Sequence, residues 1–339
     1  MGAQLRVYRR RIRSVNSTKK ITKAMELIAA SRIVKAQSRM NSAKPYAKEL
    51  SRALAALSSD NTLRHPMLTG VENPRRAGIL LITSDRGLAG GYNANAIRRA
   101  NELARQLEGE GKEVDRYVIG RKGSAYFNFR QIPLAGQWSG FSEQPNFADA
   151  RGATEAVVAA LTATSEGTVG GGDDTDDGEG ASSGGAREQR AGIDELWVIY
   201  TRFVNSVSQT PVAVQVSPVK GATDGDDLAD EQSEDGEEEQ AEESGGLPTL
   251  YEFEPEPASL IAAILPRYIS SRIFSALLES AASESAARRR AMKSASDNAT
   301  DLIKTFTRLA NEARQAEITQ EISEIVGGAD ALAATGSAE

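Results

Sequence analysis

Both ends of the sequence carry hydrophobic positions with the same period. Toward the C-terminal side these fall at Met292, Ala295, Ala299, Leu302, Phe306, Leu309, Ala313 and Ala316, alternating three and four and repeating every seven residues. The spacing predicts a single long helix over Ala258 to Ala331 with one narrow seam. At ~1.5 Å per residue it would be a rod of roughly 110 Å, which needs a partner to cover its seam. Residues 2–58 repeat the pattern in their second half, at Ala36, Met40, Ala43, Ala47, Leu50, Leu54 and Leu57. Their first half carries Leu5, Ile12, Ile21, Met25, Ile28 and Ile33 in a looser phase. Pro45 lies inside the second seam and is predicted to bend the helix without ending it, because the pattern resumes in phase beyond it. The two Ala-rich seams are expected to pack on each other as an antiparallel coiled coil, with the C-terminal helix overhanging by about 17 residues, roughly 25 Å.

Between them the period changes. Gly78 to Ser84 and Val114 to Gly120 are short apolar runs that predict buried strands, as does Glu195 to Phe203. Tyr92 to Leu107, Lys122 to Phe129 and Ala153 to Ala163 predict helices. Alternating strands and helices imply a small Rossmann-like α/β domain with a mostly parallel sheet, so the fold class is mixed: a long antiparallel coiled coil plus that domain. The expected division is a helix over 1–58, a globular domain over 75–220 with an insertion at 165–192, a second insertion at 221–246, and a helix over 258–331.

Composition sharpens this picture in two places. Residues 1–58 hold 14 Lys or Arg against Glu26 and Glu49, whereas residues 221–246 hold 12 acids and no base. The first end calls for an acidic partner; both insertions are predicted to be solvated, disordered loops. Cysteine is absent and His65 is the only histidine, which excludes disulfides, thiol nucleophiles, His-His metal sites and catalytic triads. His65, beside Pro66, is read as a loop residue. No uninterrupted apolar run approaches the ~20 residues of a membrane span, so a soluble intracellular chain without membrane insertion is expected.

The chemistry on offer is sparse. Asp85 to Gly91 (DRGLAGG) forms a glycine-rich turn between a predicted strand and a predicted helix, the place where nucleotide phosphates bind. Its spacing matches neither phosphate-binding fingerprint, which favours a tight turn with left-handed glycines over a phosphate cradle. A stand-alone nucleotide-binding enzyme and a basic coiled-coil protein bound to nucleic acid remain as alternatives. Glu321 and Glu324 lie one turn apart and read as solvated surface carboxylates.

Three stretches are more specific than any of this. Ile12 to Gln37 (IRSVNSTKKITKAMELIAASRIVKAQ), Ser84 to Asn93 (SDRGLAGGYN) and Asn311 to Ala329 (NEARQAEITQEISEIVGGA) resemble, in that order, the gamma subunit of the F-type ATP synthase. In the last of them the family pattern falls on Ile318, Thr319, Glu321, Glu324, Gly328 and Ala329. The resemblance implies a non-catalytic rotor shaft, one copy per complex, inside a hexamer of alpha and beta subunits. It further implies contacts with the epsilon subunit and the membrane c-ring, a peripheral place on the cytoplasmic side of the cell membrane, and no cofactor, metal or nucleic acid. Carried over, Lys20, Lys23 and Met25 would face acidic loops of the beta subunits, and Arg314, Gln315 and Thr319 the inner loops of the hexamer. Ala89 stands where members of that family often carry Cys, and the insertion at 165–192 resembles an extra loop of actinobacterial members.

Overall fold

In the computed structural model the described residues are 3–58, 65–167, 192–219 and 257–336. The insertion at 221–246 lies outside them, as does most of that at 165–192, whose first residues close a helix. The elements in order are α1 (Ala3–Ser58), α2 (Pro66–Thr69), β1 (Arg76–Ile82), α3 (Tyr92–Gly109), β2 (Glu113–Ile119), α4 (Arg121–Phe129), β3 (Gly136–Trp138), α5 (Phe147–Gly167), β4 (Glu195–Phe203), β5 (Gln209–Ser217) and α6 (Pro257–Gly336). The chain divides into two compact units, one of residues 1–30 and 288–339, the other of residues 31–287.

The larger unit is built on a five-stranded sheet of order β3-β2-β1-β4-β5, parallel throughout except for the β4–β5 hairpin. Side chains of a strand alternate between faces, and both faces here are covered, which is why residues 77–82 of β1 and 196–200 of β4 are apolar apart from glycine without interruption. Leu80 and Ile82 of β1 join Leu196, Val198 and Tyr200 of β4 on one face, under α5 and the first third of α6. Ala77, Ile79 and Leu81 join Val118 and Ile199 on the other, under α3 and α4. At the mouth of the sheet, the φ of +104° at Gly120 and the approach of its Cα to the Thr83 carbonyl leave no room for a Cβ.

The sequence pattern misses two strands. β3 has only three residues, too few to show alternation. β5 contains Pro211, which suits an edge strand and weakens any strand signal.

In this same unit Leu54, near the end of α1, shares a cluster with Ile261, Leu265 and Ile269 at the start of α6. Ile33 and Ala36 cluster with Ala282 and Ala286, further along α6, and with Phe203 of β4. Later residues of one helix meet earlier residues of the other, so α1 and α6 run antiparallel. Pro45 sits inside α1 without ending it. One stretch of α6 reaches a mean hydropathy of 1.3, enough by length and composition alone to cross a bilayer, which corrects the expectation that no such stretch exists. Within α6, Ile261, Leu265, Ile269, Ile273, Ala276 and Leu277 belong to the core against the sheet.

Candidate partner interface on the terminal helices

The smaller unit is two helices side by side, with the Arg11 guanidinium 5.6 Å from the centre of the Phe306 ring. Along α1 the covered and partly covered positions include Leu5, Tyr8, Ile12, Val15, Lys19, Thr22, Met25, Glu26 and Ala29, with steps that alternate three and four from Leu5 to Thr22. The loose phase read from the sequence is thus a regular seam that passes through Lys19 and Thr22, whose polarity hid it. Along α6 Met292, Ser296, Ala299 and Ala310 are buried and Ile303, Phe306, Ala313 and Glu317 partly covered at the same alternation, with Ala295 and Leu309 partly covered beside them. Leu302 and Ala316, expected on the seam, are exposed. Polar Ser296 and Glu317 made the neighbouring frame look more apolar than the one the helix uses.

Displacing Ile21 and Ile28 from the seam has a consequence. Ile21 is 58% exposed, Leu27 62% and Ile28 53%, and Ala24 is exposed between them. Together they form an outward apolar strip on α1, bordered by the cations Lys20 and Lys23. On α6 a second strip runs Ile318, Ile322, Ile325 and Val326, with Ile325 72% exposed. No residue from Ile318 to Ala329 is covered. Apolar residues at spacings of four and three that nothing covers mark a face meant for another surface.

The residues singled out from the sequence fall into two groups. Lys20 and Lys23 are exposed; Lys23 Nζ donates to Glu26 Oε2 at 3.0 Å, and Lys20 makes no ion pair among the described residues. Met25 is half-buried on the seam, so only part of its surface faces outward. Arg314, Gln315 and Thr319 are exposed on α6, and Thr319 Oγ1 donates to the Gln315 carbonyl. With the helices antiparallel and Arg11 opposite Phe306, the lysines lie on one side of that contact and Arg314 on the other. The two groups stand roughly 25 Å apart along the axis at ~1.5 Å per residue. They are separate patches. The sequence reading missed Leu27, Ile322, Ile325 and Val326; the signal available was their apolar character off the seven-residue repeat.

The glycine-rich turn is a different kind of site. Gly90 and Leu88 hold left-handed conformations, with φ of 56° and 64°. The Asp85 carboxylate accepts N–H bonds from Arg121 at 3.1 Å, Gly140 at 2.8 Å and Ser142 at 3.0 Å. It thereby takes up the first amide of α4 and two amides of the loop that follows β3. The Asn93 amide oxygen accepts from the Ser84 N–H at 2.9 Å. Tyr92 closes the motif: its ring packs with Ala89 and Ala287, and its hydroxyl lies 3.1 Å from Ser280 Oγ. The motif fastens α6 to the sheet. Ser283 Oγ adds a bond to the Thr201 carbonyl at 2.9 Å, and Ser280 Oγ accepts from the Thr201 N–H at 3.4 Å.

Beside these ties Glu279 is buried, its carboxyl pushed up from an ordinary value to about 7 by burial, against the opposing pull of Arg202, the Phe203 N–H, Lys44 and Arg272. His65 sits between α1 and α2, where its Nδ1 accepts from the Met67 N–H at 3.2 Å and burial lowers its pKa.

A family model described as ATP synthase matches residues 4–332. The ATP synthase gamma chain of Acidothermus cellulolyticus is 50% identical over 337 residues, 99% of this chain and all of that protein. That of Frankia casuarinae is 50% identical over 333 residues, 98% of this chain and 99% of that one. Among solved structures, a chain of the Euglena gracilis mitochondrial ATP synthase superposes with a TM-score of 0.61 at 18% identity, covering all of this chain and 98% of that one. The fold is shared across that distance, and with half of all residues identical from end to end in two actinobacterial relatives, this chain belongs to the ATP synthase gamma chain family.

Proposed function

We propose that the chain is the central rotor shaft of an F-type ATP synthase, turning inside the alpha and beta subunits and seated through its α/β domain on the epsilon subunit and the membrane c-ring. It catalyses nothing itself. Proton-driven rotation of the ring presents successive faces of an asymmetric rod to each beta subunit, and differential contact shifts which conformation that subunit occupies. This places the protein at the membrane surface, on the cytoplasmic side, one copy per complex.

The observation that supports the reading most directly is the bare end of α6. Ile318, Ile322, Ile325 and Val326 form an apolar face with no cover in a helix that continues to Gly336. A single helix in water gains little from such a face, so it is made for an apolar sleeve. Lys20 and Lys23, beside the Ile21–Ile28 strip, supply the charge expected toward acidic loops of the beta subunits, with the outward part of Met25 next to them. Arg314, Gln315 and Thr319 are assigned to the inner loops of the hexamer, where torque passes. Against the rival reading as a nucleotide-binding enzyme stands Asp85, which opens the glycine turn with a carboxylate fixed by three backbone N–H groups, a charge that repels a phosphate.

Co-expression with alpha and beta subunits tests the proposal. The chain should co-purify with both, and the Lys20→Gln/Lys23→Gln pair should lower coupled ATP hydrolysis several-fold at low salt and lessen its salt dependence, since charge contacts are screened as salt rises. A chain that does not co-purify, or that hydrolyses ATP alone, overturns it.

A further inference from the structure

A small recess lies between α1 and the loop that follows β3, within the larger unit. Arg32, Lys35 and Arg39 line one wall, at the three-and-four spacing that puts them on one face of α1. Glu143 lines the other, and Ala36 and Ala281 leave the floor open where longer side chains would fill it. The volume is about 90 Å³. That is room for one compact anion.

The charges do not balance. Glu143 pairs with Arg32 and also lies 3.6 Å from Arg86 on its outer side. Lys35 and Arg39 make no ion pair or hydrogen bond among the described residues. Three cations and one carboxylate leave the wall with two positive charges facing a concave space. A guanidinium fork and an ammonium suit a tetrahedral oxyanion, which can take bonds from each and balance both charges at once. No aromatic ring borders the recess to hold a base.

We propose that this recess binds a phosphate group, held by Lys35 and Arg39, with Arg32 shared between the ligand and Glu143. Free inorganic phosphate and the terminal phosphate of a nucleotide offer the same chemistry.

The test is titration of the full chain with inorganic phosphate at constant ionic strength, followed by phosphorus NMR or calorimetry, with ADP, sulfate and a short poly-glutamate peptide as parallel arms. Saturable phosphate binding is expected. It should weaken at least tenfold in the Lys35→Gln/Arg39→Gln variant and tighten in Glu143→Gln, which frees Arg32. Both replaced cations are exposed, so an unchanged circular dichroism melt checks that the variant is folded. Lys20→Gln/Lys23→Gln removes as much charge elsewhere and should leave the affinity unchanged. If ADP binds with the same dependence on Lys35 and Arg39 while free phosphate is weaker, a nucleotide phosphate is the ligand. Equal affinities in the wild type and the Lys35→Gln/Arg39→Gln variant, an equal loss in the Lys20 control, or saturation by the peptide alone overturns the site.

Discussion

At Glu279 a single proton is tied to the stability of the fold. Its folded pKa stands near 7 against 4.5 when unfolded, so the native state holds the proton more tightly. The stabilisation this gives is complete below pH 4.5 and is lost as pH rises to 7. At ~1.4 kcal/mol per unit the loss has an upper bound of about 3 kcal/mol. Urea unfolding between pH 5 and 8 should show that slope, and Glu279→Gln should flatten it. Asp85 matters through its hydrogen bonds, as the acceptor for three backbone N–H groups. Asp85→Ala would strand three backbone N–H groups and should cost roughly 2–4 kcal/mol, measured by the same unfolding. Neither role could be read from the sequence. An Asp in a glycine turn suggests a ligand contact as readily as an internal one, and Glu279 is a helical glutamate until β4 and α1 close over it.

Among the elements, the three inner strands are the most legible, because β1 and β4 are covered on both faces and their apolar runs stand out against charged helices. β4 matches its expected limits from Glu195 to Phe203, while β1 and β2 are shifted by a residue or two. Helical seams are harder. Alternations of three and four can be written in two frames that share every seventh residue, and polar members such as Ser296 and Lys19 tilt the choice. The frame is open to test: in the isolated chain Ile303→Ala should cost about 1–2 kcal/mol, and Leu302→Ala under about 0.5, because only the first lies on the seam. Equal costs would mean that the helix uses the other frame. The outward strips at Ile21–Ile28 and Ile318–Val326 escaped for a related reason. The seven-residue repeat picks out apolar residues that fit a seam, whereas those off the repeat are the ones left for a partner.

For the molecule as a whole, folding and coupling should respond to different substitutions. Ile322→Asp with Ile325→Asp changes only exposed positions, so the isolated chain should unfold within about 0.5 kcal/mol of the wild type. In the assembled complex the same pair should depress coupled ATP synthesis at least several-fold, since the carboxylates would enter an apolar sleeve. Stable assembly with full activity would remove the sleeve from the account. The hydroxyl ties of Ser280 and Ser283 to Tyr92 and Thr201 bear on the same question from the other end of the load. A helix resting on methyl groups alone can roll against its support at small cost, like a rod in a greased bearing. Directional bonds at a fixed register penalise both rolling and sliding, so α6 is keyed to its sheet. Elastic twist must then be taken up further along the helix, where the packing is thin, and little of it is lost at the mount.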